Sequence, residues 1–197
     1  MEEKNLVASS TKRADPLLMP LQLGRLTLRN RIMSTSHETA LDEGGYPLDA
    51  YQRYHEEKAK GGLALTMFGG SARVSADSSW GGTQLDVSSD AVIPVFRAFS
   101  ERIHSHGAAL MCQISHVGRR ANATVGDWLP ALGPSHSRED YNRSFAHEMD
   151  RHDIARIVRD FGQAARRARA GGLDGIETMT GGHLIGQFLS PMVNRRT

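Results

Sequence analysis

Polar residues able to move protons or form directed hydrogen bonds recur at one kind of place in this chain, just after an apolar run. Ser34, Thr35, Ser36, His37 and Glu38 close the run that starts at Arg31, and Gly69-Gly70 follows Leu63 to Phe68. Gln113 and His116, with Arg119 close behind, follow Ala109 to Met111, and Thr180 to His183 follows Asp174 to Met179. Histidine exchanges protons near neutral pH, a carboxylate beside it can hold a cation, and an amide such as Gln113 both donates and accepts. Three of the nine histidines, His37, His116 and His183, fall at these positions. Each alone reads equally well as an ordinary loop histidine; together they point to a site.

Those three rings could converge on a metal ion, which keeps a metal-dependent barrel hydrolase among the readings. The spacing argues against it: no H-E-x-x-H run occurs, and the H-x-H pair His104/His106 lies at a helix end on the opposite face. No G-x-G-x-x-G turn for a dinucleotide and no G-x-S-x-G nucleophile elbow are present.

The elements that must position these residues alternate. A helix over Asp49 to Lys60 stops at Gly61-Gly62, and Leu63 to Phe68 follows as strand. A helix over Ala91 to His106 puts Val92, Val95, Phe96, Phe99 and Ile103 on one stripe and stops at Gly107 before the strand Ala109 to Ile114. A third helix, capped by Asp150, carries Ile154, Ile157, Val158 and Phe161, stops at Gly171-Gly172, and leads into Asp174 to Met179. Glycine suits these stops because the residue after a helix often needs positive φ. With Arg31 to Ser36 as first strand this makes four βα units, preceded by a small hairpin over Pro20 to Leu28. Strands apolar on both faces imply a parallel sheet covered by helices. A doubly wound sheet and a barrel both fit, and both bind ligands at the strands' carboxyl ends, where the polar residues lie.

With 197 residues, the chain can bury a core. Its net charge of +2 is too small for nucleic-acid binding, and the run Arg166, Arg167, Arg169 reads as a solvated helix face. No run reaches the ~18 apolar residues of a membrane span. The single cysteine, Cys112, sits mid-strand as a small buried hydrophobe and suits a reducing compartment. Residues 1–15 read as a flexible tail without an apolar signal segment, so the expected location is cytoplasmic.

Three blocks in series carry a resemblance. Pro20-Leu21-Gln22-Leu23-Gly24 through Leu28-Arg29-Asn30-Arg31-Ile32, Gln113-Ile114-Ser115-His116-Val117-Gly118-Arg119, and Ala170 to Glu177 with Gln187-Phe188-Leu189-Ser190-Pro191 and Asn194 to Thr197 resemble the old yellow enzyme family. The resemblance covers 16–197 and implies an α/β fold, the (β/α)₈ TIM barrel, with its first four βα units encoded here. It implies an FMN-dependent oxidoreductase that moves hydride through flavin N5, with NAD(P)H as possible electron donor. Ser36, His37 and Glu38 would lie beside the isoalloxazine, Gly69 and Gly70 would let the backbone approach its edge, and Gln113 would bond the pyrimidine ring. His116, Arg119 and His183 would face substrate. The phosphate site and any iron–sulfur cysteines of the family would come from later segments.

The sequence departs from the enoate-reducing pattern. The His/Asn or His/His pair is missing in Thr178 to His183, His183 stands at the tyrosine donor's position, and Glu38 replaces a small or hydroxyl residue. This is closer to the branch of trimethylamine dehydrogenase, dienoyl-CoA reductase and N-methyl amino-acid demethylases. It suggests oxidation of a methylated amine with Glu38 and His183 as catalytic groups, although Glu38 could equally pair with an arginine. A full barrel needs ~250 residues, so four strands alone would leave two open edges, bind FMN weakly, and call for a second copy or a complementary half. A non-catalytic barrel fragment is the competing reading.

Overall fold

The computed structural model describes residues 15–122, 129–141 and 143–197. Of the tail expected over 1–15, only Asp15 is among them; its carboxylate accepts from the Leu17 N–H and caps a short turn over Pro16–Leu18. A hairpin, β1 (Leu21–Leu23) and β2 (Leu26–Leu28), turns at Gly24 with φ +58°. Then come β3 (Met33–Ser34), α1 (Asp49–Lys60), β4 (Leu65–Arg73), α2 (Val92–His104) and β5 (Ala109–Ser115). Three short strands follow, β6 (Leu132–Gly133), β7 (Ser137–Arg138) and β8 (Phe145–Glu148), before α3 (Arg151–Ala170), β9 (Gly175–Thr178) and α4 (Leu184–Leu189).

β3, β4, β5 and β9 form one parallel sheet in chain order. Helices α1, α2 and α3 lie side by side, each against its neighbour and against this sheet. A doubly wound sheet reverses its strand order and carries helices on both faces; sequential order under a single helix layer is the wall of a barrel.

The pleat sorts side chains between the wall's two faces. Phe68, Leu110, Cys112 and Ile114 point outward into a core with Tyr51, Phe96, Phe99 and Ile103 from the helices. Phe68 and Phe99 are centred 4.9 Å apart, and Tyr51 meets both rings edge-on. On the inner face Leu65, Met67 and Ala109 pack with Leu28 beneath the hairpin, which closes the amino end. Gln113 and its register partner Glu177 continue that inner face toward the carboxyl end.

Details differ from expectation for local reasons. In each glycine pair at a helix stop it is the second glycine that takes positive φ, Gly62 at +100° and Gly172 at +81°. The first strand pairs only at Met33 and Ser34. β4 runs past Phe68 through a bulge to Arg73, because Gly69, Gly70 and Ser71 all adopt positive φ and the chain rejoins β5 at Ala72. Asp150 caps α3 as expected, with Asp153 completing a capping box. Val158 is exposed rather than in the core stripe. The arginine run is only partly solvated: Arg166 and Arg167 both pair with Asp90, ahead of α2. No described helix is long and apolar enough to cross a membrane.

Candidate active site

The bulge at the end of β4 is the centre of the site, and three elements fasten it. The Gly69 N–H donates to Tyr51 Oη of α1 at 3.2 Å, Gly70 N–H to Ser36 Oγ at 2.7 Å, and Ser71 N–H to Gln113 Oε1 at 3.0 Å. Each consecutive amide therefore has a side-chain acceptor, which keeps a positive-φ turn fixed in a buried place. A Cβ at Gly69 would come within 2.5 Å of the Gln113 carbonyl oxygen, and one at Gly70 within 2.2 Å of the Glu38 nitrogen. Within the chain, these glycines are crowded by atoms of its own backbone. They bring the loops after β3 and β5 against β4.

Glu38 lies on that loop. Its Oε1 accepts from the Ala40 N–H at 3.0 Å, while Oε2 is buried with no partner among the described residues. Burial lifts its carboxyl above the usual carboxylate range and nearby Asp42 pushes the same way, against the Ala40 hydrogen bond. No described arginine pairs with Glu38, so the ion-pair alternative does not hold among the described residues. Gln113 is buried and also donates from Nε2 to Glu177 Oε1 at 2.6 Å. By inventory its amide keeps one N–H and one oxygen lone pair for a ligand.

His183 stands at the start of α4, buried, with Nδ1 2.6 Å from Ser115 Oγ and 3.5 Å from Ser71 Oγ. The Trp80 ring meets it edge-on at 5.8 Å. Burial, helped by the charge of Arg120, pulls its pKa down to about 4, so the ring is neutral at pH 7.

The other expected contacts are used differently. His37 is exposed and turns to α1, its Nε2 2.8 Å from Tyr54 Oη, whose ring lies under the Lys58 ammonium. His116 is buried with both nitrogens engaged: Nδ1 accepts from the Gly118 N–H at 3.0 Å and Nε2 lies 3.2 Å from Asp77 Oδ1. Asp77 also receives the Arg156 guanidinium and the Ser75 hydroxyl, so it links His116 through the loop after β4 to α3. Arg119 donates its backbone N–H to Gln187 Oε1 at 3.0 Å and its guanidinium to the Arg138 carbonyl at 3.3 Å. A Cβ at Gly118 would lie 2.3 Å from Gln187 Oε1, so the glycine of this motif makes room for that clamp. Of the expected set, the structure gathers Ser36, Glu38, Gly69, Gly70, Gln113 and His183 around one mouth and directs His37, His116 and Arg119 elsewhere.

Ser71, Trp80 and Ser115 are contributors that motif reading missed. Ser115 had a signal: it lies two residues beyond Gln113 and so on the same face of β5. Among the described residues no cluster of His, Cys, Asp or Glu could hold a metal ion. His37, His116 and His183 do not form one.

A barrel wall with a polar mouth at the carboxyl ends of its strands defines an α/β-barrel protein. Residues 16–197 match the model of the NADH:flavin oxidoreductase / NADH oxidase family, and the chain belongs to that family. It is 58% identical over 188 residues to a multifunctional alkene reductase/demethylase of Caballeronia cordobensis, covering 95% of this chain and 28% of that protein. It is 48% identical over 180 residues to a probable N-methylproline demethylase of Rhizobium meliloti, covering 91% of this chain and 26% of that protein. Morphinone reductase in complex with tetrahydroNAD superposes with a TM-score of 0.83 at 25% identity, over 93% of this chain and 54% of that one. The chain thus spans little more than a quarter of these two curated relatives.

Proposed function

We propose that this chain forms the flavin-ring and substrate side of an FMN-dependent oxidoreductase that oxidises a methylated amine, with NAD(P)H as a possible reductant when the same site works in reverse on an alkene. The carrying observation is Glu38, a carboxyl beside the fixed bulge with one buried oxygen that has no partner among the described residues. FMN, when bound, supplies an N5 position that accepts or gives hydride.

The residues present fit such a group. Gln113 offers a donor and an acceptor to a ring edge, and Ser36 and Gly70 hold the adjacent loops in register. Glu38 would face the cationic nitrogen of the amine, whose charge would draw the raised carboxyl pKa back down. The carboxylate can then take the ammonium proton, freeing the nitrogen lone pair as a methyl carbon loses hydride. Water adds to the resulting iminium, and the products are the demethylated amine and formaldehyde. His183, buried and neutral, would orient the substrate on the other side of the bulge.

Four strands hold only one side of such a site. We further propose that these residues alone bind FMN weakly, and that a second copy or a complementary strand–helix set completes the barrel. In the completed enzyme, Glu38→Gln should lower kcat/KM for a methylated amine by about tenfold or more, ~1.4 kcal/mol, with the flavin spectrum retained. Unchanged turnover would remove Glu38 from the mechanism. A non-catalytic fragment would show no turnover and no flavin uptake even when the complementary strands are supplied.

A further inference from the structure

Two buried groups that the motifs do not join meet at the mouth: the hydroxyl of Ser115, wholly buried at the end of β5, and the ring of His183, 3% exposed. Their separation of 2.6 Å from Oγ to Nδ1 is a short, directed hydrogen bond, and it can be made in two ways. In one, Nδ1 carries the proton and Ser115 accepts. The serine's own proton then needs a second acceptor, and Ser115 Oγ has no other partner among the described residues. Buried hydroxyl protons are rarely left in that condition. In the other, Ser115 donates to the Nδ1 lone pair, and the ring's single proton sits on Nε2. Ser71 Oγ, 3.5 Å from Nδ1, is too distant to compete, and Trp80 meets the ring edge-on at 5.8 Å.

We propose that Ser115 is a positioning residue that fixes His183 as its Nε2–H tautomer, so that the histidine presents a hydrogen-bond donor to an electron-rich substrate oxygen. The low proton affinity of the buried ring agrees with a single N–H at pH 7, as does the nearby charge of Arg120. What this donor is used for rests on the flavin-dependent reading above; the tautomer itself does not. It separates the roles at the mouth: Glu38 takes a proton or pairs with a cation, and His183 gives a hydrogen bond.

The test is a long-range ¹H–¹⁵N correlation spectrum of the intact protein labelled with ¹⁵N-histidine at pH 7, without flavin or substrate. The expected pattern for His183 is a pyrrole-like Nε2 and a pyridine-like Nδ1. Ser115→Ala should replace it with an averaged pattern of both tautomers, and Ser115→Thr, which restores a hydroxyl, should return it. In the completed enzyme Ser115→Ala should lower kcat on the order of tenfold with KM little changed. A protonated Nδ1 in the unmutated chain, or a Ser115→Ala spectrum indistinguishable from it, would overturn the proposal. Should Ser115→Ala not fold, Ser115→Cys, similar in size with a weak donor, carries the same test. Failure of flavin binding would count against the functional reading, whereas the tautomer stands or falls on the histidine spectrum alone.

Discussion

Gly70→Ala tests how the bulge is held, and its size can be worked from the structure. Gly70 has φ +49°, and an added Cβ would lie 2.2 Å from the Glu38 nitrogen and 2.5 Å from the Glu38 Cα. The left-handed conformation costs an L-residue about 1–2 kcal/mol. Overpacking adds about 1–3 kcal/mol, at the upper end here because the obstacle is backbone and no rotamer relieves it. The sum of about 2–5 kcal/mol is a large part of the ~5–15 kcal/mol that ordinarily holds a domain together. Gly24 supplies the control: its φ is +58°, with nothing within 4 Å of an added Cβ, so Gly24→Ala meets only the conformational cost. Urea denaturation followed by circular dichroism should show Gly70→Ala less stable than Gly24→Ala by at least about 1 kcal/mol, with similar m-values. Equal losses in the two variants would refute the claim that close backbone approach, rather than φ alone, requires glycine at the mouth.

Further outcomes follow from buried groups. Cys112 is fully buried and burial raises its thiol pKa, so a thiol reagent should modify it only as the chain unfolds; rapid reaction in native buffer would contradict its place in the core. Asp77's carboxyl is held below the usual range: burial alone would raise it, but hydrogen bonds from His116, Arg156 and Ser75 outweigh that. Its stabilisation is present above the unfolded carboxylate value of about 4 and fades as pH falls through the folded value. Asp77→Asn should cost ~1–3 kcal/mol at pH 7 and flatten the acid side of the stability curve; an unchanged acid side would count against the cluster. His183, pulled down to about 4 from an unfolded value near 6.5, resists protonation when folded. Its stabilisation is full above pH ~6.5 and falls as pH drops toward 4, and an NMR midpoint near 6.5 would contradict its burial.

Much of the wall was legible because periodicity reports burial directly. The expected Asp49–Lys60 helix is α1 residue for residue, and the Val92, Phe96, Phe99, Ile103 stripe is the buried face of α2. Periodicity reports that a strand is covered but not which side its helices take, so barrel and doubly wound sheet looked alike until strand order separated them. Gly69-Gly70 read as the end of a strand because glycine marks turns; here three positive-φ residues make a bulge and the strand resumes. The sheet of β6, β8 and β7 was missed because its strands are two to four residues long, too short for any repeat to show. In the candidate site, the neighbourhood of Gln113 and His183 followed from their place at strand ends. The link from His116 to Asp77, 39 residues earlier, and from Asp77 on to Arg156 of α3 was not legible, because only the tertiary fold joins them.

The central claim is that the carboxyl-end mouth of this wall holds the edge of a flavin ring. Titration of FMN into the ¹⁵N-labelled chain, followed by amide shifts, addresses it most directly and reads even weak binding. The expected shifts are confined to Ser36–Glu38, Gly69–Ser71, the Gln113 side-chain amide and His183, and are lost in Gln113→Leu. Shifts at the hairpin end, or no shifts as FMN is raised to millimolar concentration, would contradict it.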